Sequence, residues 1–426
     1  MKKSFSILSI LFIFCLSLPS LSQTNYTMVI EGFDWGPHVN KVILESQKEL
    51  EKVDSKDFSV SVTRSSLNED PIPDMFAQFK SGTREVINAF VSDNNGNPIS
   101  KGNHITLILA VAPNNYLGSA IQYFPGKGGN KWINYQLDIK QNSSNITWNK
   151  ETRRIIPILD DFDLTGKFTH KDINLSYASY NPVRKSGKAP LLIWLHGGGE
   201  GGTDPSIAAI GNKAVNYASK DIQSIFGGAH VLVPQAPTYW MHSATERMTT
   251  GKTNDIYNEA LMELIKMYVA KNKDIDTKRI YIGGCSNGGY MSLRLIFNNP
   301  DYFAGGYISA LAFYSEYATD EQIESIKNVP IWFVQSKDDK VTDPQKTAVP
   351  IYHRLKKAGA ENVHFTFPDH VVDITNQYGG NSYHYDGHWS WIYLHANEVR
   401  FDFDGSPVKV NDMPVTIMQW LAAQSK

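Results

Sequence analysis

The chain has 426 residues, of which 42% are hydrophobic and 20% are charged, and its formal net charge at pH 7 is −2. This balance is typical of a globular protein and argues against a basic surface for nucleic acid or anionic membranes. The length exceeds the usual size of one domain and predicts two.

The first element in chain order is a leader. Two lysines precede an apolar run, Phe5–Leu18, and small residues follow at Ser20 and Ser22. A charged start, a short apolar stretch and a small-residue cleavage site are typical of a bacterial signal peptide, whereas a membrane anchor, the alternative, needs about 20 apolar residues. We therefore expect residues 1–22 to be removed and the mature protein to be secreted or periplasmic, with no membrane span.

The cysteine content limits the covalent and metal chemistry of the mature chain. The two cysteines are Cys15, inside the leader, and Cys285. One remaining cysteine cannot form an internal disulfide or a cysteine-based zinc site. His384 and His388 are four residues apart with Asp386 between them, but the histidines are otherwise dispersed and no His-Glu-x-x-His motif occurs. We expect no metal and no cofactor.

Residues 23–145 are predicted to form an all-β domain. The run Phe58–Val62 alternates apolar and polar residues, the period of a half-buried strand. Asn/Gly/Pro turn sequences separate such runs, and short strands at this spacing indicate a β-sandwich. The predicted strands are Tyr26–Glu31, Lys41–Glu45, Phe58–Thr63, Glu85–Ser92, His104–Ala112 and Trp132–Ile139.

Residues 146–426 are predicted to form an α/β domain with a mostly parallel sheet. Apolar runs alternate here with helical patterns, such as Asp255–Asn272, for which Asn254 is a candidate N-cap. Continuous apolar strands between helices indicate a sheet covered on both faces. The predicted strands are Pro190–Leu195, His230–Val233, Arg279–Ile282, Gly305–Ser309, Pro330–Val334 and Val363–Phe367.

The motif with the clearest chemistry is Gly-x-Ser-x-Gly at Gly284, Ser286 and Gly288. An apolar strand precedes it and a helical pattern follows, which is the context of the nucleophile elbow of an α/β-hydrolase. The turn is so sharp that side chains two residues on either side of the serine would clash. It exposes the Ser286 hydroxyl and aims the backbone N–H of Asn287 at the developing oxyanion. We therefore predict Ser286 as the nucleophile.

A glycine-rich loop, His196–Gly202, follows the predicted strand Pro190–Leu195. In α/β-hydrolases this loop supplies the second oxyanion donor, because backbone without side chains can approach the substrate oxygen. We predict the N–H of Gly198 for this role, with Gly199 as the alternative. A phosphate-binding loop would end in Gly-Lys-Ser/Thr, which is missing here.

A serine nucleophile needs a base, and the base needs an orienting acid. The acid should follow the strand Pro330–Val334, where Asp338 stands three residues before the apolar Val341 and is our prediction; Asp339 is the competitor. The base should come last. We predict His388, in a glycine-preceded loop before a helical pattern, with His384 as the alternative.

These motifs resemble those of a known group. The segments Leu195–Glu200, Gly284–Gly289 and Gly387–Trp391 look like the bacterial "predicted peptidase" or esterase family of α/β-hydrolases. The stretch Ile30–Pro37 resembles the start of the immunoglobulin-like domain of EstA-type esterases. The resemblance implies an immunoglobulin-like domain before a hydrolase that acts on short acyl esters, and a first domain that supports assembly or shapes substrate access.

The sequence therefore predicts a serine carboxylesterase for short-chain acyl or carbohydrate-linked esters. Tyr239, Trp240, Trp389 and Trp391 are candidates for lining the substrate pocket. A serine peptidase of the prolyl-oligopeptidase type is the second hypothesis, because the same triad cleaves amides. A binding protein with a vestigial hydrolase fold is the third. The expected partner is a small-molecule or polysaccharide-linked ester, not nucleic acid; a homo-oligomer stays open.

Overall fold

The computed structural model describes residues 24–68, 70–125, 129–144, 146–183 and 187–426. The expected signal peptide, residues 1–22, lies outside the described residues. Within the described ranges, no helix combines the length and the apolar character needed to cross a membrane.

The first domain is all-β, as the sequence predicts. Its described strands are β1 (Thr24–Phe33), β2 (Gly36–Leu50), β3 (Phe58–Ser66), β4 (Ser81–Arg84), β5 (Val86–Ser92), β6 (Gly102–Leu109), β7 (Ile121–Phe124), β8 (Gly129–Gln141) and β9 (Thr147–Ile155). They pair in the order β4-β3-β8-β9-β1-β2-β6-β5, and β7 pairs with β8. Burial alternates along β3 from Phe58, so the period-two pattern there reflects one core-facing side.

The core of this domain joins strands from both ends of the pairing order. Val60 on β3 and Leu107 on β6 belong to the same buried cluster, as does Trp148 on β9. The sheet therefore closes over itself as a sandwich. Because β9 pairs with β1 and β8, the first domain extends to Ile155, and the predicted boundary at residue 145 is wrong.

The second domain is built on an eight-stranded sheet within the described residues. Its strands are β10 (Asp163–His170), β11 (Ile173–Tyr180), β12 (Ala189–Leu195), β13 (His230–Gln235), β14 (Ile275–Cys285), β15 (Gly305–Ser309), β16 (Ile331–Val334) and β17 (Val363–Thr366); β18 (Lys409–Val410) and β19 (Met413–Pro414) form a separate hairpin. Its helices are α1 (Pro205–Ile210), α2 (Lys220–Phe226), α3 (Asn258–Lys271), α4 (Asn287–Asn298), α5 (Asp320–Ile326), α6 (Ala348–Lys357), α7 (Trp391–His395) and α8 (Ile417–Ala422).

The strand order β10-β11-β13-β12-β14-β15-β16-β17 is parallel from β13 to β17 and antiparallel where β11 meets β10 and β13. Alternate residues of β12 enter two different cores, with Leu191 and Ile193 on one face and Leu192 and Trp194 on the other. Helices α3 to α6 cover the first face, and α1, α2, α7 and α8 cover the second. The prediction of a parallel sheet buried on both faces is confirmed.

The start of α3 corrects one detail of the sequence prediction. The helix begins at Asn258, and the Asp255 carboxylate accepts the backbone N–H of Tyr257 at 3.1 Å and of Asn258 at 2.8 Å. Asn254 does not cap it. An aspartate at the same turn provides the acceptor, and it also meets the Tyr290 hydroxyl at 3.1 Å in the core.

Candidate active site

Ser286 occupies a strained turn between β14 and α4. Its backbone has φ 55° and ψ −116°, a region that L-residues rarely adopt. A Cβ at Gly284 would lie 2.6 Å from the backbone of Gly288, and one at Gly288 would lie 2.0 Å from the Leu195 carbonyl oxygen. Both positions therefore require glycine, for the steric reason that the sequence suggests. The strand-to-helix turn is a nucleophile elbow in shape.

Two backbone N–H groups next to Ser286 are available to an oxyanion. Among the described residues, no acceptor is found for the N–H of Gly198 or of Asn287. Gly198, Ser286 and Asn287 line one cavity. Asn287 is also the first residue of α4, where the helix dipole favours negative charge. The structure thus brings the predicted oxyanion donors and the predicted nucleophile together.

His196 fixes the start of the glycine-rich loop His196–Gly202. Its Nε2 accepts the backbone N–H of Ala236 at 3.1 Å, so Nδ1 carries the proton and donates to the Gly197 carbonyl at 2.7 Å. Burial lowers the pKa of His196 to about 4. A neutral imidazole with both nitrogens engaged cannot serve as a base, so His196 is a structural part of the loop.

His388 is held by Asp339. Its Nδ1 lies 3.0 Å from each carboxylate oxygen of Asp339. The same carboxylate accepts the backbone N–H groups of Val341 and Thr342 at 2.9 Å and the Thr342 hydroxyl at 2.7 Å. Burial raises the pKa of Asp339, but the hydrogen bonds from His388 and Thr342 outweigh it and hold this pKa below its usual value. An ionised Asp339 fixes the Nδ1–H tautomer of His388 and leaves Nε2 free to accept a proton.

The prediction that Asp338 orients the catalytic histidine is wrong, because its carboxylate does not contact His388. The Asp338 carboxylate lies 2.7 Å from Nδ1 of His370 and 2.7 Å from the Ser336 hydroxyl, away from His388. Val341, the apolar residue that pointed to Asp338, is 65% exposed. The residue that turns inward is Thr342, three positions after Asp339. The spacing argument holds, but a buried threonine carries it.

The alternative histidine lies outside this arrangement. The His384 ring stacks on His370 at 4.2 Å between ring centroids, beside Asp338. His388 lines the same cavity as Ser286, whereas His384 does not. The structure therefore brings together Ser286, His388, Asp339, Gly198 and Asn287. The sequence analysis placed four of these five residues first for their roles and gave Asp339 as the competitor of Asp338.

The cavity around Ser286 has a volume of about 760 Å³ and is lined by both domains. Among the predicted pocket aromatics, Tyr239, Trp389 and Trp391 line it, whereas Trp240 is fully buried in the hydrolase core. The resemblance implied that the first domain supports assembly or shapes substrate access, but the sequence analysis named no residue of that domain for the site. That domain contributes Asp34, Trp35, Arg64, Tyr116, Tyr123 and Asn130 to the wall.

Comparison with known proteins supports this architecture. Residues 25–153 match the family model of the esterase Ig-like N-terminal domain, and residues 239–326, which include Ser286, match that of the prolyl oligopeptidase family. The chain is a serine hydrolase that joins an esterase-type immunoglobulin-like domain to an α/β-hydrolase domain. No curated protein sequence matches it.

A solved structure that covers nearly the whole chain supports the fold. A structure described as that of a thermostable esterase superposes with a TM-score of 0.72 at 23% identity, covering 94% of this chain and 99% of its own. A more distant match is the Mycobacterium tuberculosis protein MPT51, with a TM-score of 0.39 and 16% identity, covering 55% of this chain and 95% of its own. Another is the Pyrococcus horikoshii acylaminoacyl peptidase, with a TM-score of 0.39 and 14% identity, covering 67% of this chain and 45% of its own.

Proposed function

We propose that this protein is a secreted or periplasmic serine carboxylesterase that acts on short-chain acyl or carbohydrate-linked esters through an acyl-enzyme. The observation that carries the proposal is the hydrogen bond between His388 and the buried Asp339. His388 lines the same cavity as Ser286 and as Gly198 and Asn287, whose N–H groups have no acceptor among the described residues. These are the parts that acyl transfer requires, in the chain order of an α/β-hydrolase.

In the first half-reaction, Ser286 Oγ attacks the ester carbonyl carbon while His388 Nε2 takes the hydroxyl proton. The carbonyl oxygen becomes an oxyanion that accepts hydrogen bonds from the N–H groups of Gly198 and Asn287. Collapse of the tetrahedral intermediate breaks the carbon–oxygen bond to the alcohol, which leaves with the proton from His388. Asp339 stabilises the imidazolium that exists between these two proton transfers.

In the second half-reaction, water attacks the acyl-Ser286 carbonyl and gives a proton to His388 Nε2. The same two N–H groups stabilise the second oxyanion. Its collapse releases the carboxylic acid, and His388 returns the proton to Ser286 Oγ. The cycle consumes one ester and one water and releases one alcohol and one carboxylic acid. The residues named above carry out every step.

A serine peptidase is the second candidate, and a specific observation favours it. The family match over residues 239–326 is to prolyl oligopeptidases, which act on amide bonds. An amine leaves the tetrahedral intermediate only after its nitrogen is protonated, so amide cleavage depends more strongly on proton donation by His388 than ester cleavage does. The same serine, histidine and oxyanion hole can carry out the reaction.

The two candidates are separated by comparing the wild type with Ser286→Ala on p-nitrophenyl acetate, butyrate and octanoate and on an aminoacyl p-nitroanilide. We expect ester turnover that exceeds amide turnover and is lost in Ser286→Ala, with the chain-length profile reporting the acyl pocket. Faster amide than ester turnover would make the peptidase the better description. Ester turnover that persists in Ser286→Ala would contradict the assigned nucleophile.

A further inference from the structure

The immunoglobulin-like domain contacts the oxyanion loop, here defined as Gly197–Glu200. The contact comes from the first residues of β8. The backbone N–H of Asn130 donates to the Gly199 carbonyl at 2.6 Å, and the Asn130 side-chain amide donates to Glu200 Oε1 at 3.1 Å. One residue of the first domain therefore holds both the main chain of the loop and a side chain at its end.

Glu200 connects that contact to the hydrolase domain. Its second carboxyl oxygen accepts the Asn212 side-chain amide at 2.9 Å, and its backbone carbonyl accepts the Gln235 side-chain amide at 2.9 Å. The side chain is 3% exposed, and burial raises its pKa to about 7. A Cβ at Gly197 would lie 3.1 Å from Glu200 Oε2, so the carboxyl group sits directly against the loop that it follows.

The approach of the two backbones is unusually close. Gly129 has φ +89°, and a Cβ there would lie 2.2 Å from the Gly199 carbonyl oxygen and 2.7 Å from its carbon. Any side chain at residue 129 would displace Gly199 or the start of β8. The Gly199 carbonyl is two peptide units along the chain from the N–H of Gly198, the proposed oxyanion donor. A displacement of Gly199 therefore changes the direction of that N–H through the short glycine segment between them.

Other contacts join the domains without touching the loop. Trp132 Nε1, also on β8, donates to the Ser206 hydroxyl at 2.8 Å. Lys213 Nζ lies 2.9 Å from Asp34 Oδ1. Domain attachment alone therefore does not require Gly129 and Asn130 to meet the oxyanion loop, and the two kinds of contact can be tested separately.

We infer that Gly129 and Asn130 of the immunoglobulin-like domain, together with Glu200, are positioning residues that set the place of the Gly198 N–H in the oxyanion hole. The inference rests on the proposed function. It gives the first domain a part in transition-state stabilisation, through the loop, rather than only in forming the cavity wall. The step it influences is formation of the tetrahedral oxyanion, so its signature is kcat rather than KM.

The test compares two loop-contact variants with two matched controls. Gly129→Ala places a methyl group against Gly199, and Asn130→Ala removes the bond to Glu200. Gly359→Ala places alanine at the same φ of +89°, where its Cβ would have no neighbouring atom within 4 Å. Trp132→Phe changes a residue on the same strand as Gly129 and removes its hydrogen bond to Ser206. Each is assayed for kcat and KM on p-nitrophenyl butyrate, the rate of Ser286 labelling by a fluorophosphonate, and thermal midpoint.

We expect both loop-contact variants to lower kcat and the labelling rate by about 10-fold or more, because a misplaced oxyanion donor loses much of an effect worth about 100- to 1000-fold. KM should stay within about 2-fold, and both controls should keep their rates within about 2-fold. Asn130→Ala gives a result even if Gly129→Ala does not fold.

A double-mutant cycle then asks whether Asn130 acts through Glu200. If it does, Asn130→Ala slows kcat far less in the Glu200→Ala background, where the acceptor of its side-chain amide is gone, than in the wild type. Loop-contact variants no slower than the controls, or rates that follow the thermal midpoint alike in all four variants, would overturn the inference. A wild type that neither hydrolyses the ester nor takes the label would refute the proposed function itself.

Discussion

Replacement of Asp339, the proposed triad acid, is the sharpest test of the corrected site. In Asp339→Asn, the backbone N–H groups of Val341 and Thr342 select the amide oxygen for the Oδ1 position. The amide NH2 then occupies the Oδ2 position, where it faces the Gln335 side-chain amide and His388 Nδ1. A donor at this place favours the Nδ1 lone-pair tautomer of His388. Its proton moves to Nε2, which can no longer accept the proton of the nucleophile.

The expected loss follows from that tautomer change. An aspartate-to-asparagine replacement in a serine triad lowers kcat by about 10⁴-fold, or about 5 kcal/mol of transition-state stabilisation. Asp338→Asn is the matched control. The Asp338–His370 pair has side chains 33% and 45% exposed, and such pairs contribute about 0–1 kcal/mol. Asparagine also keeps an acceptor for the Ser336 hydroxyl, so we expect less than about a 5-fold change in kcat.

The assay is initial-rate hydrolysis of p-nitrophenyl butyrate at pH 7.5, with circular dichroism and thermal midpoints to confirm that both variants are folded. KM should change little in either, because the acid acts on proton transfer and not on ester binding. Equal loss in the two variants, or a greater loss in Asp338→Asn, would refute the assignment of Asp339.

Two further predictions concern stability. Both nitrogens of His395 lack hydrogen-bond partners among the described residues, and burial lowers its pKa to about 3. In the unfolded chain the pKa of His395 is about 6.5, so below that pH the unfolded chain binds a proton that the folded chain does not. His395→Phe removes this difference and should therefore stabilise the protein by about 2 kcal/mol more at pH 5 than at pH 8. Urea unfolding measures the effect, and an equal effect at both pH values would contradict the prediction. Gly288→Ala should abolish folding or activity, because the added Cβ would clash with the Leu195 carbonyl. In the control Gly227→Ala, the added Cβ has no neighbouring atom within 4 Å, so this variant should fold and stay active.

The sequence was most informative where local pattern and burial coincide. Alternation along Phe58–Val62 predicted β3, and the apolar run Gly305–Ser309 coincides with β15. The elbow at Ser286 was predictable because its glycines are required by contacts within a few residues and with the adjacent strand. β10 and β11 were missed, although Ile173–Tyr180 shows a partial alternation of apolar and polar residues that could have indicated a strand.

The choice between Asp338 and Asp339 was not available from sequence. Both carboxylates stand in the same loop, and the decision depends on which neighbour turns into the core. Val341 is the more hydrophobic residue, yet it is exposed, while Thr342 is buried because its hydroxyl and N–H both bind Asp339. A polar residue buried by its hydrogen bonds defeats a rule based on hydrophobicity.

The contribution of the first domain to the cavity depends on how two domains pack, and no periodicity within either domain encodes that. Because of this packing, a substitution at the domain contact can change the reaction rate with little effect on stability. The two cores of the hydrolase domain are formed by buried residues from Leu159 onward, and the first domain adds partly buried side chains such as Trp35 and Trp132 to one of them. A small change at the Gly129–Asn130 contact therefore removes little buried apolar surface, but it acts two peptide units from the N–H of Gly198, the proposed oxyanion donor. Reaction rate, not thermal midpoint, is the quantity that reports on this contact.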